Sequence, residues 1–586
     1  MRFDDKHLST SRFYIKITLL LILMAVICSI TVLSWVPPVS RDALTHHLAV
    51  PKLYLQQGRI YEIPSITFSY YPMNLDLLYI LPLYFKNDIV PKFIHFAFGL
   101  LTAWLIFVYL RKRLDTLWAL FGVTFFVSLP IIVKLSISVY VDLGLVFFST
   151  ASIASIFNWI ESRFKLKFLL LAAVCCGLAM GTKYNGLIVL FILTLFIPLV
   201  FIRKSMNRVV GEKPEIQGHP FKTQLKALGF GALYCSMALL VFSPWMIRNY
   251  IWKANPVYPL YNSFFNSPPM VKAQIPVTSA ELDAGDQTAT TIRAGSTKWG
   301  PLAIRKVVYN ESWWEIALIP VRIFFQGQDD NPKYFDGKLN PFLFLLPFFA
   351  FLQSQTNPRA VGIEKKFLLS FSILFILYAF LQRDMRIRYI APIIAPLVIL
   401  STFGFHRIHS YLAQKWSHSL RRPSEICVIM LAAVIFFFNA VYIAHQFKQV
   451  DPFSYISGRV GRDDYITIYR PEYTIIQYAN RHLSADAKIL VLFMGNRRYY
   501  SDRDLIFNVN LFRTIVKKAD SAQAVLHELQ QRGFSNLLIR YDLFNHWTDK
   551  QFNDREKKML KMFFVRDVRH VLSNSGYGLY ELAENR

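Results

Sequence analysis

The sequence has 586 residues, of which 54% are apolar, and it carries a formal net charge of +27 at pH 7. Runs of about twenty apolar residues recur along the chain, which excludes a soluble globular protein and predicts a polytopic membrane protein. The Lys and Arg residues lie mainly in short segments between these runs, so the positive charge does not indicate nucleic-acid binding. The five cysteines fall inside apolar runs, which predicts neither a disulfide framework nor a Cys-rich metal site.

About eleven segments are apolar enough to span a membrane, if the shorter ones are buried among other helices. They are 17–36, 90–110, 117–133, 143–160, 168–181, 186–202, 227–244, 341–354, 367–382, 390–405 and 426–444. The first follows a basic N-terminus and has no cleavage site after it, so it is interpreted as an uncleaved anchor. The segment from Met73 to Phe85 is too short to span and is interpreted as an amphipathic helix lying in the membrane interface.

The basic clusters set the predicted orientation. With Met73 to Phe85 left out of the count, these clusters all fall on the side of the basic N-terminus, which the positive-inside rule assigns to the cytoplasm. They are Arg111 to Arg113, 161–167, 203–208, the Lys365–Lys366 region and 407–422. The C-terminus is then predicted to lie outside.

Two domains are predicted. Residues 1–446 form a transmembrane catalytic domain with large outer loops at 37–89 and 245–340, the second containing an interfacial helix near Trp313 to Phe325. Residues 447–586 form a soluble extracytoplasmic α/β domain. Within it the pattern predicts helices at 471–483 and 521–534 and strands at 487–494 and 536–541. It contains no nucleophile elbow, P-loop or dinucleotide fingerprint.

Charged side chains recur at the predicted outer ends of the spans. They are Asp42 after the first span, Asp142 at the start of the fourth, Lys183 between the fifth and sixth, Arg248 at the end of the seventh, and Arg383, Arg386 and Arg388 between the ninth and tenth. Each has an ordinary explanation: the acids can cap helices, and the cations can anchor helix ends at the interface. Two arginines at i and i+2 on a short loop are nevertheless well suited to bind phosphate oxygens.

Histidine and tyrosine side chains in the outer loops are further candidates. His46 and His47 are adjacent, so both rings cannot share one helix face, and a two-His metal site within one helix is not expected. One of the two is expected to contact substrate. Tyr258 is an interfacial aromatic residue by default, and stacking on a sugar is the functional alternative.

One carboxylate beside several cations at a lipid–water boundary suits the transfer of a sugar from a lipid phosphate carrier. Negative charge builds on the phosphate as the glycosidic bond breaks, and fixed Lys and Arg side chains stabilise it. The acceptor needs a general base, and attack from the face opposite the phosphate inverts the anomeric centre. Asp42 is predicted to be that base.

The sequence resembles the bacterial polyprenyl-phosphate-sugar-dependent glycosyltransferases of the GT-C fold, which are related to the lipid A aminoarabinose transferases and the protein O-mannosyltransferases. The shared features are Asp42-Ala-Leu-Thr-His-His-Leu after the first span, Asp142 opening a later span, the Gly181-Thr-Lys183 turn, PWMIRNY followed by NPVYP at 255–259, and RIRYIAP at 386–392. The likeness covers roughly residues 15 to 445, and an outer α/β tail is also typical of the family.

This resemblance implies a GT-C-like fold, with Asp42 in the general-base position and Lys183 and the arginines near the carrier phosphate. It implies that Asp142 helps to shape the donor or acceptor site. The partners implied are a polyprenyl-phosphate-linked sugar, membrane lipids and an acceptor that is lipid A or lipopolysaccharide, a surface glycan or a protein, with no nucleic acid. The enzyme would lie in the bacterial inner membrane with its site on the periplasmic face.

Two departures from the family limit this implication. O-mannosyltransferases have an Asp-Glu pair in the first loop, whereas Ala43 follows Asp42 here, so a protein acceptor is in doubt. The oligosaccharyltransferases of the fold use a metal held by several acidic residues, whereas only Asp42 and Asp142 are suitably placed here. No cofactor is therefore predicted, and a divalent metal stays an alternative.

Two other functions fit parts of the pattern. An O-antigen polymerase or ligase also handles lipid-linked sugars, but it would rely on outer-loop Arg and His rather than on Asp42. A lipid-linked sugar transporter or flippase would be expected to place ionisable residues near the bilayer centre, where this sequence has almost none.

Overall fold

The computed structural model describes residues 2–209, 220–266, 300–352, 359–380, 385–415 and 421–583. Seven of its helices are long and apolar enough to cross a bilayer: Arg12–Ser34, Val90–Arg113, Asp142–Glu161, Gly186–Ser205, Phe221–Lys253, Ile387–Ala413 and Glu425–Val450. Thr116–Ser128 and Pro130–Ser136 together make an eighth, bent by 61°. The bend falls at Pro130, which cannot donate a backbone hydrogen bond to the preceding turn.

The three remaining predicted spans are also helical. They are Leu166–Thr182, Phe342–Phe349 and Arg359–Phe380. All eleven predicted segments therefore fall on helices. Phe342–Phe349 has only eight residues, or about 12 Å of helix, so the flanking chain must complete any crossing there. It packs closely on Ile394–Lys415, where a Cβ on Gly404 would lie 1.9 Å from the Leu346 carbonyl oxygen.

Ion pairs gather the predicted cytoplasmic segments at one end of the bundle. Arg113 pairs with Glu364 at 2.7 Å and also with Glu161, so the ends of three different spans meet there. Asp42 and Arg388 are in contact at 2.6 Å, which joins the first outer loop to the start of another span. These contacts agree with the predicted alternation of the helices.

Shorter helices occupy the outer loops. They are a π-helix at Ala43–His47, α-helices at Ala49–Gln57, Asn74–Leu78, Ile80–Tyr84, Asn262–Phe265, Pro301–Val307, Trp313–Ala317 and Ile319–Arg322, and 3-10 turns at Thr67–Tyr70 and Pro332–Tyr334. The segment predicted as interfacial is thus two short helices, with Leu81 and Tyr84 each 67% exposed and Leu75 buried. Such an apolar outer face suits the membrane interface. Trp313 and Trp314 are equally exposed.

The sheet-bearing region follows the last span, which ends at Val450. Its helices are Pro452–Ile456, Arg462–Tyr469, Tyr473–His482, Val509–Lys518, Ala522–Gln531, Tyr541–Gln551 and Asp554–Arg566, and its strands are β1 (Lys488–Leu492), β2 (Asp504–Phe507), β3 (Asn536–Arg540), β4 (Val568–Asn574) and β5 (Tyr577–Leu582).

The five strands form one mixed sheet in the order β2-β1-β3-β5-β4. β1 is parallel to β2 and β3, and β5 is antiparallel to β3 and β4. Helices pack on the sheet around two apolar clusters, one containing Phe512 and Phe563 and the other Ile475 and Ile489. The four helices and strands predicted from sequence in this region are confirmed.

Candidate active site

Asp42 lies where the first helix has been stopped by Pro37 and Pro38 and a π-helix begins. The amide of Leu48 donates to the carbonyl of Ala43 at 2.9 Å, five residues back, as in a π-helix. Such wide turns are often found at functional sites. The Asp42 side chain makes no capping hydrogen bond, so the interpretation of Asp42 as a helix cap is wrong.

Asp42 instead pairs with Arg388. Its Oδ2 atom accepts a hydrogen bond from Arg388 Nη1 at 2.6 Å, and its side chain is 20% exposed. The Arg388 guanidinium lies 5.0 Å from the centre of the Tyr140 ring. Burial acts to raise the pKa of Asp42, but the positive charges of Arg388 and Arg386 outweigh it and hold that pKa well below its usual range. Asp42 is therefore ionised at neutral pH.

Asp142 and Lys183 form a second pair. Asp142 is the first residue of its helix and makes no cap, while its Oδ1 atom accepts from Lys183 Nζ at 2.6 Å. Lys183 directly follows the helix Leu166–Thr182, in which a Cβ on Gly181 would lie 2.2 Å from Asn74 Nδ2 and would displace that side chain. The ring of Tyr389 lies 5.2 Å from Lys183 Nζ and 5.5 Å from the Arg388 guanidinium. The two ion pairs therefore flank one aromatic ring.

Arg386 and Arg248 lie beside this centre with other partners. Arg386 Nη1 is 3.3 Å from Asp336 Oδ2. Arg248 Nη2 donates to the carbonyls of Tyr70 at 2.7 Å and Tyr71 at 3.2 Å, and its guanidinium stacks on Trp245 and Trp252. Arg248 thus ties its helix to the first outer loop. Arg383 lies outside the described residues.

Tyr258 belongs to an aromatic layer next to Lys183. Its ring lies 4.8 Å from that of Tyr70, and its carbonyl accepts from the Tyr184 hydroxyl at 2.8 Å. Tyr184 directly follows Lys183 and packs against Tyr71 at 5.2 Å. The contacts of Tyr258 in the described ranges are therefore with protein groups that support Lys183.

The two histidines have different surroundings. His47 Nδ1 lies 2.6 Å from Asp76 Oδ1, and both side chains are buried. Burial raises the pKa of Asp76 and lowers that of His47, so burial disfavours the charged form of each side chain. His46 stacks on Phe68 at 4.3 Å, and burial lowers its pKa to about 3.

Sequence reasoning missed Asp76, Tyr140 and Tyr389. Asp76 lies in the segment interpreted only as an interfacial helix. The sequence did contain a signal for Asp76, because it is the one carboxylate in the apolar run Met73 to Phe85. The tyrosines gave no such signal, since aromatic residues are common at membrane interfaces.

The residues that the structure describes contain no group of three or more His, Cys, Asp or Glu side chains arranged to hold a metal ion. Asp42 and Asp142 each bind a cationic side chain through one carboxylate oxygen. The side chains therefore do not fit the several-acid metal site of the oligosaccharyltransferases. Metal independence stays a prediction.

The architecture matches two solved structures of ArnT from Cupriavidus metallidurans over nearly the whole length of both chains. The apo form superimposes with a TM-score of 0.53 at 12% identity, covering 98% of each chain. The form bound to undecaprenyl phosphate gives 0.54 at 12% identity, covering 96% of this chain and 97% of that one. The chain has the GT-C fold. The GT-C resemblance inferred from five short motifs is thus confirmed at the level of fold.

The GT-C chain also matches a known family over part of its length. Residues 60–254 match the family described as "Dolichyl-phosphate-mannose-protein mannosyltransferase". The matched segment includes Asp142, Lys183 and Arg248 but starts after Asp42. No curated protein matches the sequence.

Proposed function

We propose that this protein is an integral membrane glycosyltransferase that moves a sugar, with inversion, from a polyprenyl-phosphate carrier to an acceptor outside the cytoplasm. The observation that carries the proposal is that the Asp42–Arg388 ion pair and Lys183 lie beside the same ring, that of Tyr389. A proton acceptor and two cations from three separate parts of the chain thus share one place at the end of a GT-C bundle.

Unsatisfied buried groups support a ligand at this place. Arg388 Nε, Arg248 Nη1 and Asp142 Oδ2 are buried and have no hydrogen-bond partner in the described part of the chain. Buried polar atoms are usually paired, because leaving one without a partner costs about 1–3 kcal/mol. The two nitrogen atoms are donors, and phosphate oxygens are acceptors that fit arginine well. A lipid phosphate would satisfy them.

In the proposed reaction the acceptor oxygen attacks the anomeric carbon while the bond from that carbon to the phosphate oxygen breaks. The electron pair of that bond leaves with the polyprenyl phosphate, whose growing negative charge is stabilised by Lys183 and Arg388. Asp42 takes the proton of the acceptor hydroxyl. Attack opposite the phosphate inverts the anomeric centre.

Asp42 suits the base better than Asp142 does. The Asp42 side chain is 20% exposed, whereas that of Asp142 is 1% exposed, and a base must be within reach of the acceptor hydroxyl. Asp142 is better suited to orient Lys183. His47 and Asp76, which are buried, would support the π-helix that carries the base.

For the acceptor we propose a broad class of molecules and not a single compound. Lipid A or lipopolysaccharide and other surface glycans are favoured over protein, because Ala43 occupies the position where protein O-mannosyltransferases have a Glu. The bacterial inner membrane, with the site on its periplasmic face, is the proposed location, because the basic clusters at the opposite end obey the positive-inside rule.

The test uses the full chain in lipid nanodiscs with a panel of undecaprenyl-phosphate-linked hexoses and aminopentoses, and with lipid A, surface glycan or peptide as acceptor. Mass spectrometry should detect a glycosylated acceptor together with free undecaprenyl phosphate, and the anomeric configuration of the product should be opposite to that of the donor. Transfer unaltered by Asp42→Asn would instead favour the polymerase or ligase. Movement of a labelled donor across liposomes without any product would favour the flippase.

A further inference from the structure

The segment that leads to Asp42 has few hydrogen bonds of its own to fix its conformation. Residues 35–40 form no helix or strand, and Pro37 and Pro38 have no amide hydrogen to donate. A segment so poor in local hydrogen bonds needs partners elsewhere, because buried carbonyls are seldom left unpaired. Lys92 Nζ donates to the carbonyl of Val36 at 2.8 Å, and the partners of two later carbonyls in the segment come from the C-terminal domain.

Two side chains of that domain bind the segment before Asp42. The Tyr500 hydroxyl donates to the carbonyl of Pro38 at 2.8 Å, and Arg470 Nε donates to the carbonyl of Val39 at 2.6 Å. These contacts join residues separated by more than 400 positions in the chain. Because the π-helix begins four residues further on, they fix the direction in which the chain enters it.

Two backbone amides bind the segment just after Asp42. The amides of Arg498 and Tyr499 both donate to the carbonyl of Leu44, each at 3.1 Å. The contact is reinforced in the reverse direction, because Lys52 Nζ donates to the carbonyls of Tyr499 and Ser501, each at 2.9 Å. The loop 497–501 is therefore bound both to the π-helix and to the helix Ala49–Gln57 that follows it.

The arrangement is more specific than ordinary domain packing. The contacts bracket Asp42 on both sides, at Val39 and Leu44, while the Asp42 side chain itself stays available to Arg388. At Pro38, Val39 and Leu44 main-chain carbonyls accept the bonds, so these contacts constrain the backbone. A backbone fixed on both sides sets the position of the carboxylate between them.

We propose that the C-terminal domain is a positioning element of the active site, in which Tyr500 and Arg470 hold the backbone that presents Asp42 to Arg388 and to the acceptor. This inference rests on the proposed function, in which Asp42 is the base. Tyr500 and Arg470 do not touch the reacting atoms in this account. They are positioning residues, and their loss should displace the base without removing it.

The physical part of the proposal is tested by hydrogen–deuterium exchange on the full chain in nanodiscs. Tyr500→Phe removes one hydroxyl and keeps the ring. It should speed exchange of the amides in 39–48 by about fivefold, as expected for one lost hydrogen bond. Tyr465→Phe is the matched control, because its hydroxyl donates to the carbonyl of Val450 at 2.7 Å, away from the segment. Equal exchange of 39–48 in the two variants would overturn the proposal.

The functional part is tested by transfer kinetics with the undecaprenyl-phosphate-linked sugar that the wild type accepts. Tyr500→Phe should lower kcat about tenfold with donor KM within twofold, since small displacements of a catalytic group are costly. The acidic limb of the pH–rate profile of Tyr500→Phe should also move to higher pH. A mere loss of folded enzyme would lower the rate at every pH without moving that limb. Arg470→Lys should act in the same direction, and Tyr465→Phe should match the wild type.

The outcomes separate this inference from the proposed function. If Asp42→Asn abolishes transfer while Tyr500→Phe behaves like Tyr465→Phe, the positioning role is wrong and the base assignment stands. If Tyr500→Phe loosens 39–48 but Asp42→Asn transfers normally, the domain holds the segment and the proposed function is wrong. In that case the positioning role in catalysis is also wrong, because it depends on Asp42 being the base.

Discussion

The two carboxylate–cation pairs beside Tyr389 have the same length but different surroundings. Each joins an oxygen to a nitrogen at 2.6 Å. Asp42 lies on an irregular turn and remains partly exposed, whereas Asp142 begins a regular helix and is almost fully buried. A buried carboxylate can orient its partner but cannot meet a diffusing acceptor. We therefore propose proton transfer for Asp42, and phosphate binding for Lys183 together with Arg388.

The largest expected effect is that of Asp42→Asn. Removing a general base costs typically 10²–10⁴-fold in rate, so we expect kcat for sugar transfer to fall by about a thousandfold, with donor binding nearly unchanged. Asp549→Asn is the control, because that exposed side chain pairs only loosely with Lys557 at 3.4 Å. Residual activity above about a tenth of wild type would contradict the division of roles between the pairs.

Lys183→Gln should weaken use of the donor rather than of the acceptor. We expect donor kcat/KM to fall about a hundredfold, in line with the loss of one electrostatic group at a transition state, and acceptor KM to change little. Arg386→Gln should act in the same direction. Equal losses for both substrates would count against a place at the phosphate.

A double-mutant cycle tests whether Asp142 acts through Lys183. Asp142→Asn alone should lower donor kcat/KM about tenfold, because Lys183 loses the group that orients it. Combined with Lys183→Gln it should cost almost nothing more, since coupled groups are not additive. Additive losses in the cycle would give Asp142 a role of its own.

The pH profile distinguishes the pairs further. Asp42 must be ionised to act, and its pKa is held well below the usual range, so kcat/KM should stay level as pH falls from 7 to about 5. Arg388→Gln removes the charge that lowers this pKa, so the acidic limb should move to higher pH. Lys183→Gln should leave the limb nearly in place. An unmoved limb in Arg388→Gln would show that Asp42 does not control it.

The smallest expected effect is that of metal removal. Dialysis against EDTA should leave transfer activity within twofold of the untreated enzyme, because both carboxylates already have cationic partners. A large loss restored by Mg²⁺ or Mn²⁺ would show that one pair opens to bind a metal.

The helices could be predicted from sequence because a bilayer imposes one simple requirement, a long apolar run. The α/β region was predictable for a similar reason, since its helices and strands follow regular apolar periods. The bend at Leu129–Pro130 and the π-helix at Ala43–His47 were not predicted. Both depend on how tertiary packing satisfies backbone groups, which no local pattern encodes.

The candidate site was predictable only as a collection of unusual charges. The sequence showed that Asp42 and Arg388 lie at the same membrane face, but the pairing spans 346 positions and could not be read from spacing. The His47–Asp76 pair was missed because an apolar segment was interpreted by its overall character. Tyr500 and Arg470 contact backbone carbonyls of the first loop. Because every residue has a backbone carbonyl, no residue type in the sequence signals these contacts.

The bond between Asp42 and Arg388 also implies an order of events. While the guanidinium holds the carboxylate, the carboxylate is a poor acceptor of protons from water. In the proposed reaction the phosphate of the donor would compete for the same guanidinium and so free the carboxylate. Such an interlock would keep the base inactive until a carrier phosphate is bound.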